Sequence, residues 1–190
     1  MKSNTFKEYI QPVIVLVAIC LVMTFALAFV NGITAPIIEE NARKAADAAR
    51  AELLPAATSF EQYTGELAVR TPDKVYVTDC YVAEGAGMVV TVRTQSFGGG
   101  LTQMVGIDTT GAITGVKVTA HADTQGLGTK AHDASYLAQN YAGVAELAAS
   151  ENIKGDTAVT YISGATISSN AVYQGVCAAL DQYKLVGGAN

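Results

Sequence analysis

Ser163-Gly164-Ala165-Thr166-Ile167-Ser168-Ser169-Asn170-Ala171-Val172 reads as a tight turn of small residues feeding a helix. Beyond it Val172, Val176, Leu180 and Tyr183 recur at spacings of four, four and three, the apolar stripe of an amphipathic helix. Such a stripe needs a second layer to cover it. Ser168 or Ser169 suits the N-cap, and the free N–H groups and positive dipole end of a first turn suit an anion such as a phosphate. Ser163, Thr166, Ser168 and Ser169 gather four hydroxyls within seven residues, while Gly164 and Ala165 leave the backbone accessible. From the residues alone two readings stand: an ordinary capped helix start, or an anion-binding turn whose Thr166 hydroxyl is open to esterification.

Upstream, the period of the chain is two. Lys74–Thr78, Met88–Arg93, Leu101–Asp108 and Ala112–Thr119 read as strands rich in Val, Thr and Tyr. Glu84-Gly-Ala-Gly87 and Phe97-Gly-Gly-Gly100 break the chain between them, and Asp108-Thr-Thr-Gly111 is a hairpin turn with Gly111 free to take positive φ. Residues 56–73 carry no clear period and read as a loop or a short edge segment. A helix is expected over Ala131–Ser150, with Tyr136, Leu137, Tyr141, Val144 and Leu147 on its apolar face, and a short strand over Ala158–Ile162. Strands followed by helices predict an α+β domain, a mainly antiparallel sheet packed by helices.

The N-terminal part is of another kind. Val13–Val30 is uncharged, and as a helix it covers about 27 Å, close to the ~30 Å hydrocarbon core. It exceeds the apolar core of a secretory signal, so residues 9–31 are expected to form an uncleaved transmembrane helix. Lys2 and Lys7 precede it and Glu39 and Glu40 follow it, which places residues 1–8 in the cytoplasm and the rest outside the cell membrane. Thr34, as N-cap, and Pro36, in a first turn, predict a separate stalk helix over 32–55 that stops before Pro55, with the folded domain spanning 56–190.

Composition limits the chemistry. The chain has 190 residues, half of them hydrophobic, and a net charge of −5; residues 33–190 hold 10 basic and 16 acidic side chains, net −6. That balance excludes a nucleic-acid partner. Cys20, Cys80 and Cys177 form no C-x-x-C pair, and with His121 and His132 as the only histidines no metal or iron–sulfur centre is expected. Whether Cys80 and Cys177 pair is left open. Nothing resembles a dinucleotide fingerprint. His121-Ala-Asp-Thr-Gln-Gly-Leu-Gly128 is a second loop of interest, since Gly126 and Gly128 permit close backbone approach and Leu127 offers an apolar surface to a flat ring.

Ser163-Gly-Ala-Thr-Ile-Ser-Ser169 resembles the flavinylation motif of the FMN-binding domain family, which includes the G subunit of Rnf electron-transport complexes and the C subunit of sodium-translocating NADH:quinone reductases. The second loop resembles the Glu-Thr-Pro-Gly-Leu-Gly run of the same family: Thr124, Gly126, Leu127 and Gly128 match, while Asp123 and Gln125 replace the glutamate and proline. Thr160 stands where the family usually has an aspartate. The resemblance covers roughly residues 75–182, with a weaker likeness to the Rnf G subunit in the anchor. It implies FMN joined covalently through its phosphate to Thr166 as a phosphoester, with Ser163, Gly164, Ala165, Ser168, Ser169, Thr124, Gly126, Leu127 and Gly128 around the cofactor. It implies a flavin transferase for maturation and other subunits of a membrane complex as partners. The expected role is electron relay in an ion-translocating, Rnf-type ferredoxin:NAD oxidoreductase. Two alternatives are the C subunit of a quinone reductase or a free-standing extracellular flavin reductase, and a non-enzymatic anchored binding or scaffold domain.

Overall fold

A computed structural model describes residues 10–187. The chain divides into two units, one ending at Ala45 and one beginning at Ala46. Helix α1 (Gln11–Leu53) supplies the described part of the first and runs on into the second. Its apolar part is long enough to cross a membrane, and none of that stretch is buried by protein. The expected break between anchor and stalk is absent. Pro36 lies inside the helix, and the Thr34 hydroxyl donates to Val30 O at 3.0 Å instead of capping a new start. Pro36 leaves one carbonyl a turn earlier without its amide, a local loss that membrane-associated helices accommodate. Residues 1–8 and the flanking lysines Lys2 and Lys7 lie outside the described residues.

The second unit is built on one antiparallel sheet of six strands: β1 (Glu61–Gln62), β2 (Val69–Thr71), β3 (Val75–Ala83), β4 (Gly87–Ser96), β5 (Gly99–Asp108) and β6 (Ile113–Ala120). The order is β1-β3-β4-β5-β6, with β2 also paired to β3. The four expected strands are present, three of them longer than expected and the fourth shifted by one residue, and residues 56–73 supply the two short edge strands. Gly111 takes φ +88 in the β5–β6 turn, where Asp108 accepts the Thr110 amide at 2.8 Å and the Ala112 amide at 3.0 Å.

Alternation along the strands sends residues to two cores. On one face Met88, Val90, Val92, Leu101, Val105 and Ile107 meet α3 (Thr166–Val186), whose Val172, Val176 and Leu180 are buried as the stripe requires. Burial extends beyond that stripe to thirteen residues of α3, because loops close over the side away from the sheet. Gly175 allows the approach: a Cβ there would fall 2.1 Å from Gln103 Nε2, which donates to Val172 O at 3.0 Å. On the other face, Leu53 and Leu54 at the end of α1 pack with Ala83, Val89 and Met104. Residues 46–54, expected in the stalk, are therefore part of the folded unit.

One expected element is shortened and another is not formed. The helix over Ala131–Ser150 shrinks to a 3-10 turn (Gly128–His132) and α2 (Ala134–Tyr141), capped by Asp133. Gly143, at φ +79, ends it, and its amide donates to Ile113 O at 2.8 Å while Ile113 N reaches Val144 O at 2.9 Å. The chain leaves the helix to cover the start of β6, and Val144 and Leu147 pack on the core from a loop. No strand forms over Ala158–Ile162. Side chains satisfy its backbone instead: Asp156 accepts Ala158 N at 2.9 Å, Asn140 accepts Thr160 N at 2.7 Å, and Ser169 accepts Ile162 N at 3.2 Å. Cys80 and Cys177 are both buried free thiols, so the pairing left open by the sequence is not made.

The seat of α1 on the sheet is a notch of two cross-strand glycines, Gly106 and Gly115. A Cβ on Gly106 would fall 2.4 Å from Thr114 Oγ1 and 2.9 Å from Leu53 O. Gly106→Ala should therefore destabilise the folded unit by about 1–3 kcal/mol through overpacking, read as a lower thermal midpoint of the purified protein. An unchanged midpoint would mean that the notch has slack.

Candidate functional site

The first turn of α3 emerges beside two loops. Gly164 takes φ +87, turning the chain so that Ala165 occupies the N-cap position of a helix beginning at Thr166. No side chain caps it, which corrects the expectation for Ser168 and Ser169. Both serines lie within the first turn and are buried, and Ser169 accepts the Ile162 amide instead of capping. The helical ladder starts with Ser169 N to Ala165 O at 2.9 Å, so the Thr166, Ile167 and Ser168 amides precede it and are available to an anion.

That turn forms one wall of a cavity of about 290 Å³ lined by Phe97, Thr124, Leu127, Gly128, Gly164, Ala165, Thr166, Ile167 and Ser168. Seven of the ten residues singled out in the sequence therefore meet, although they come from stretches about forty residues apart. Ser163 and Gly126 are exposed and do not line the cavity, and Ser169 is turned into the core. Gly126, at φ +75, shapes the turn from outside, and its amide donates to Thr129 Oγ1 at 2.9 Å.

Phe97 and Ile167 were not singled out. Phe97 is 71% exposed and Ile167 56%, and with Leu127 at 47% they make a mostly apolar mouth. Phe97 stood in the sequence as the start of a glycine-rich turn; a large aromatic at the tip of a hairpin, with no core to enter, was the available signal.

Beneath the cavity wall lies a buried acid that sequence reading treated only as a motif position. Asp123 Oδ2 accepts the Ser96 hydroxyl at 2.6 Å, and Oδ1 accepts the Gly98 amide at 2.7 Å. Burial favours its neutral form, but hydrogen bonds from Ser96, Gly98 and Ser168, with the nearby His132, outweigh burial and hold the carboxyl below the ordinary carboxylate range. His132 Nε2 stands 3.1 Å from Asp123 Oδ2, and the His121 and His132 rings are 4.5 Å apart. The two histidines, eleven positions apart in the sequence, are neighbours. Burial first, then the adjoining His121, push the His132 pKa down against the pull of Asp123, so the ring is neutral at pH 7.

At the far side of the loop region, Thr160 donates both its amide and its hydroxyl to Asn140 Oδ1, at 2.7 and 2.9 Å. Asp156, buried, instead accepts Ala148 N, Ala158 N and the Tyr173 hydroxyl. It organises the 142–162 loop. Lys117 is ion-paired to Glu52 and does not line the cavity.

A family model described as the FMN-binding domain matches residues 97–181. That span begins at Phe97 and contains both loops and most of α3. Over nearly its whole length the chain is similar to the G subunit of the Na(+)-translocating ferredoxin:NAD(+) oxidoreductase complex of Acetobacterium woodii: 30% identical over 189 residues, covering 90% of this chain and 89% of that protein.

The lowered pKa of His132 fixes the sign of an acid effect. Between the folded and unfolded values the unfolded chain binds more protons, so stability is full above about pH 6.5 and falls as pH drops below it. Thermal midpoints measured from about pH 7.5 to 5 should decline in the parent and decline less in His132→Gln. Equal slopes would show that His132 is not the titrating group.

Proposed function

The chain belongs to the family of the G subunit of ferredoxin:NAD(+) oxidoreductase complexes and carries an FMN-binding domain, and we propose on that premise that the cavity at the start of α3 is where its flavin resides. It is a membrane-anchored flavoprotein, an electron-transfer component of an Rnf-type complex, with α1 as its apolar anchor.

The observation that carries the placement is the convergence of the two loops on a helix start whose amides have no side-chain cap. The residues fit the cofactor by their chemistry. Uncapped N–H groups at the positive end of a 21-residue helix suit the phosphate. Phe97, Leu127 and Ile167 suit an apolar, planar ring, and Gly128 lets the loop close on the acid behind it, since a Cβ there would fall 2.8 Å from Asp123 Cβ. When bound, FMN supplies the redox chemistry and the protein supplies tethering and orientation.

In this reading the half-buried Thr166 hydroxyl is the point of attachment: a flavin transferase moves FMN from an activated flavin donor, the Thr166 oxygen bonding to the phosphorus as the donor's leaving group departs with the hydroxyl proton. Covalent attachment keeps the cofactor with a domain that faces outward, as the charges flanking α1 favour. The other subunits supply the groups that exchange electrons with ferredoxin and NAD.

The test is chemical. Co-expressed with a flavin transferase, the parent should carry an FMN mass increment mapping to Thr166, and Thr166→Val should carry none. Ser168→Ala should keep it. An unmodified parent, or an adduct on Ser168 or Ser169, would sink the assignment. Topology has its own assay: protease added outside envelope-stripped cells should digest the domain, and protection of residues after the anchor would reverse the orientation.

A further inference from the structure

Phe97 has almost nothing under it. It is 71% exposed at the tip of the β4–β5 turn, followed by three glycines, yet it forms part of the cavity wall. An aromatic side chain on a glycine-rich tip holds one place only if the backbone on both sides is held. One carboxylate does this. Asp123 accepts from Ser96, the residue before Phe97, and from Gly98, the residue after it. The same segment closes on the turn from below, since a Cβ on Gly98 would fall 2.1 Å from Ala122 O.

Asp123 also reaches the other walls. A Cβ on Gly128 would fall 2.8 Å from Asp123 Cβ and 2.9 Å from Ser168 Oγ, so loop, acid and helix start are stacked in direct contact. His132, at the end of the 3-10 turn that opens with Gly128, stands 3.1 Å from the same carboxylate. The side chain is fully buried, yet it accepts two hydrogen bonds at 2.6 and 2.7 Å that reach across 25 residues or more of sequence.

We propose that Asp123 is the positioning residue of the cavity, a latch that fixes Phe97 and the Gly128 wall against the first turn of α3. Resting on the flavin reading above, this means that the ring of the cofactor meets a preformed aromatic wall and that Phe97 sets its mobility. Bonds to an ionised acceptor are the strong kind, and losing both frees a tip that has no core of its own to hold it.

The experiment uses the full chain in detergent, with and without flavin. In flavin-free protein, amide exchange of the segment around Gly98 should rise by about tenfold or more in Asp123→Ala, while the β4 and β5 core amides stay at parent rates. Asp123→Glu should restore most of the protection. In flavin-loaded protein, Asp123→Ala should lower the fluorescence anisotropy of the attached flavin toward that of a freely rotating ring. Should Asp123→Ala not fold, Ser96→Ala, which releases one grip and keeps the Gly98 bond, should raise exchange at the turn and lower anisotropy by smaller amounts. Parent-like exchange at the turn in the variant that folds would overturn the latch, as would a rise spread evenly over the core. A parent protein without flavin overturns the flavin reading instead, and the exchange comparison still decides the latch.

Discussion

Everything at the candidate site depends on how closely α3 lies on the sheet. A 21-residue helix with thirteen buried positions cannot shift without opening the core. Its height above β5 is set by Gly175, which leaves space for Gln103, and by the Gln103 amide that donates to Val172 O. Further clamps come from the strand side. Gln182 accepts the Ala68 amide at 2.7 Å, and Arg70 reaches Gln174 and Asp181, each at 2.9 Å. With helix and sheet locked, the first turn of α3 has one place to emerge, and the loops of the site are built around it.

Two buried carboxylates then do for the loops what ladders do for the strands. Asp123 gathers the β4–β5 turn, and Asp156 gathers residues 148, 158 and 173. Each carboxyl is held below the ordinary range although burial acts the other way, because donated N–H and O–H groups outweigh desolvation. Irregular backbone needs partners as much as regular backbone does. Side-chain acceptors let it stay irregular, and a ligand site between loops follows from that freedom.

The anchor follows a different logic. Along α1 the apolar residues are exposed on every side, with Phe25, Leu27 and Phe29 all above 60%, as a lipid-facing helix requires. Only its last turns change character, where Ala49 and Leu53 are buried and Leu53 sits against the glycine notch of β5 and β6. One helix thus serves two solvents in succession.

What the sequence by itself determined was whatever repeats with a local period or stands in an unbroken run. Alternating Val and Thr marked β3 to β6, the spacing of Val172, Val176 and Leu180 marked α3, and the uncharged run marked the membrane segment. The two motif loops were legible as loops because their glycines and hydroxyls have local meanings. Only the tertiary structure decided that Gly143 would end α2 so that its amide could meet Ile113, and that residues 158–162 would bond to Asn140, Asp156 and Ser169 rather than to a strand. It also decided that Ser168 and Ser169 would face inward, that Phe97 would join the cavity, and that Asp123 would hold the turn beside it. The reason is range. A period or a turn is written in neighbouring residues, whereas these outcomes depend on which distant donor reaches a buried acceptor first, and that is fixed only when α3 has settled on the sheet.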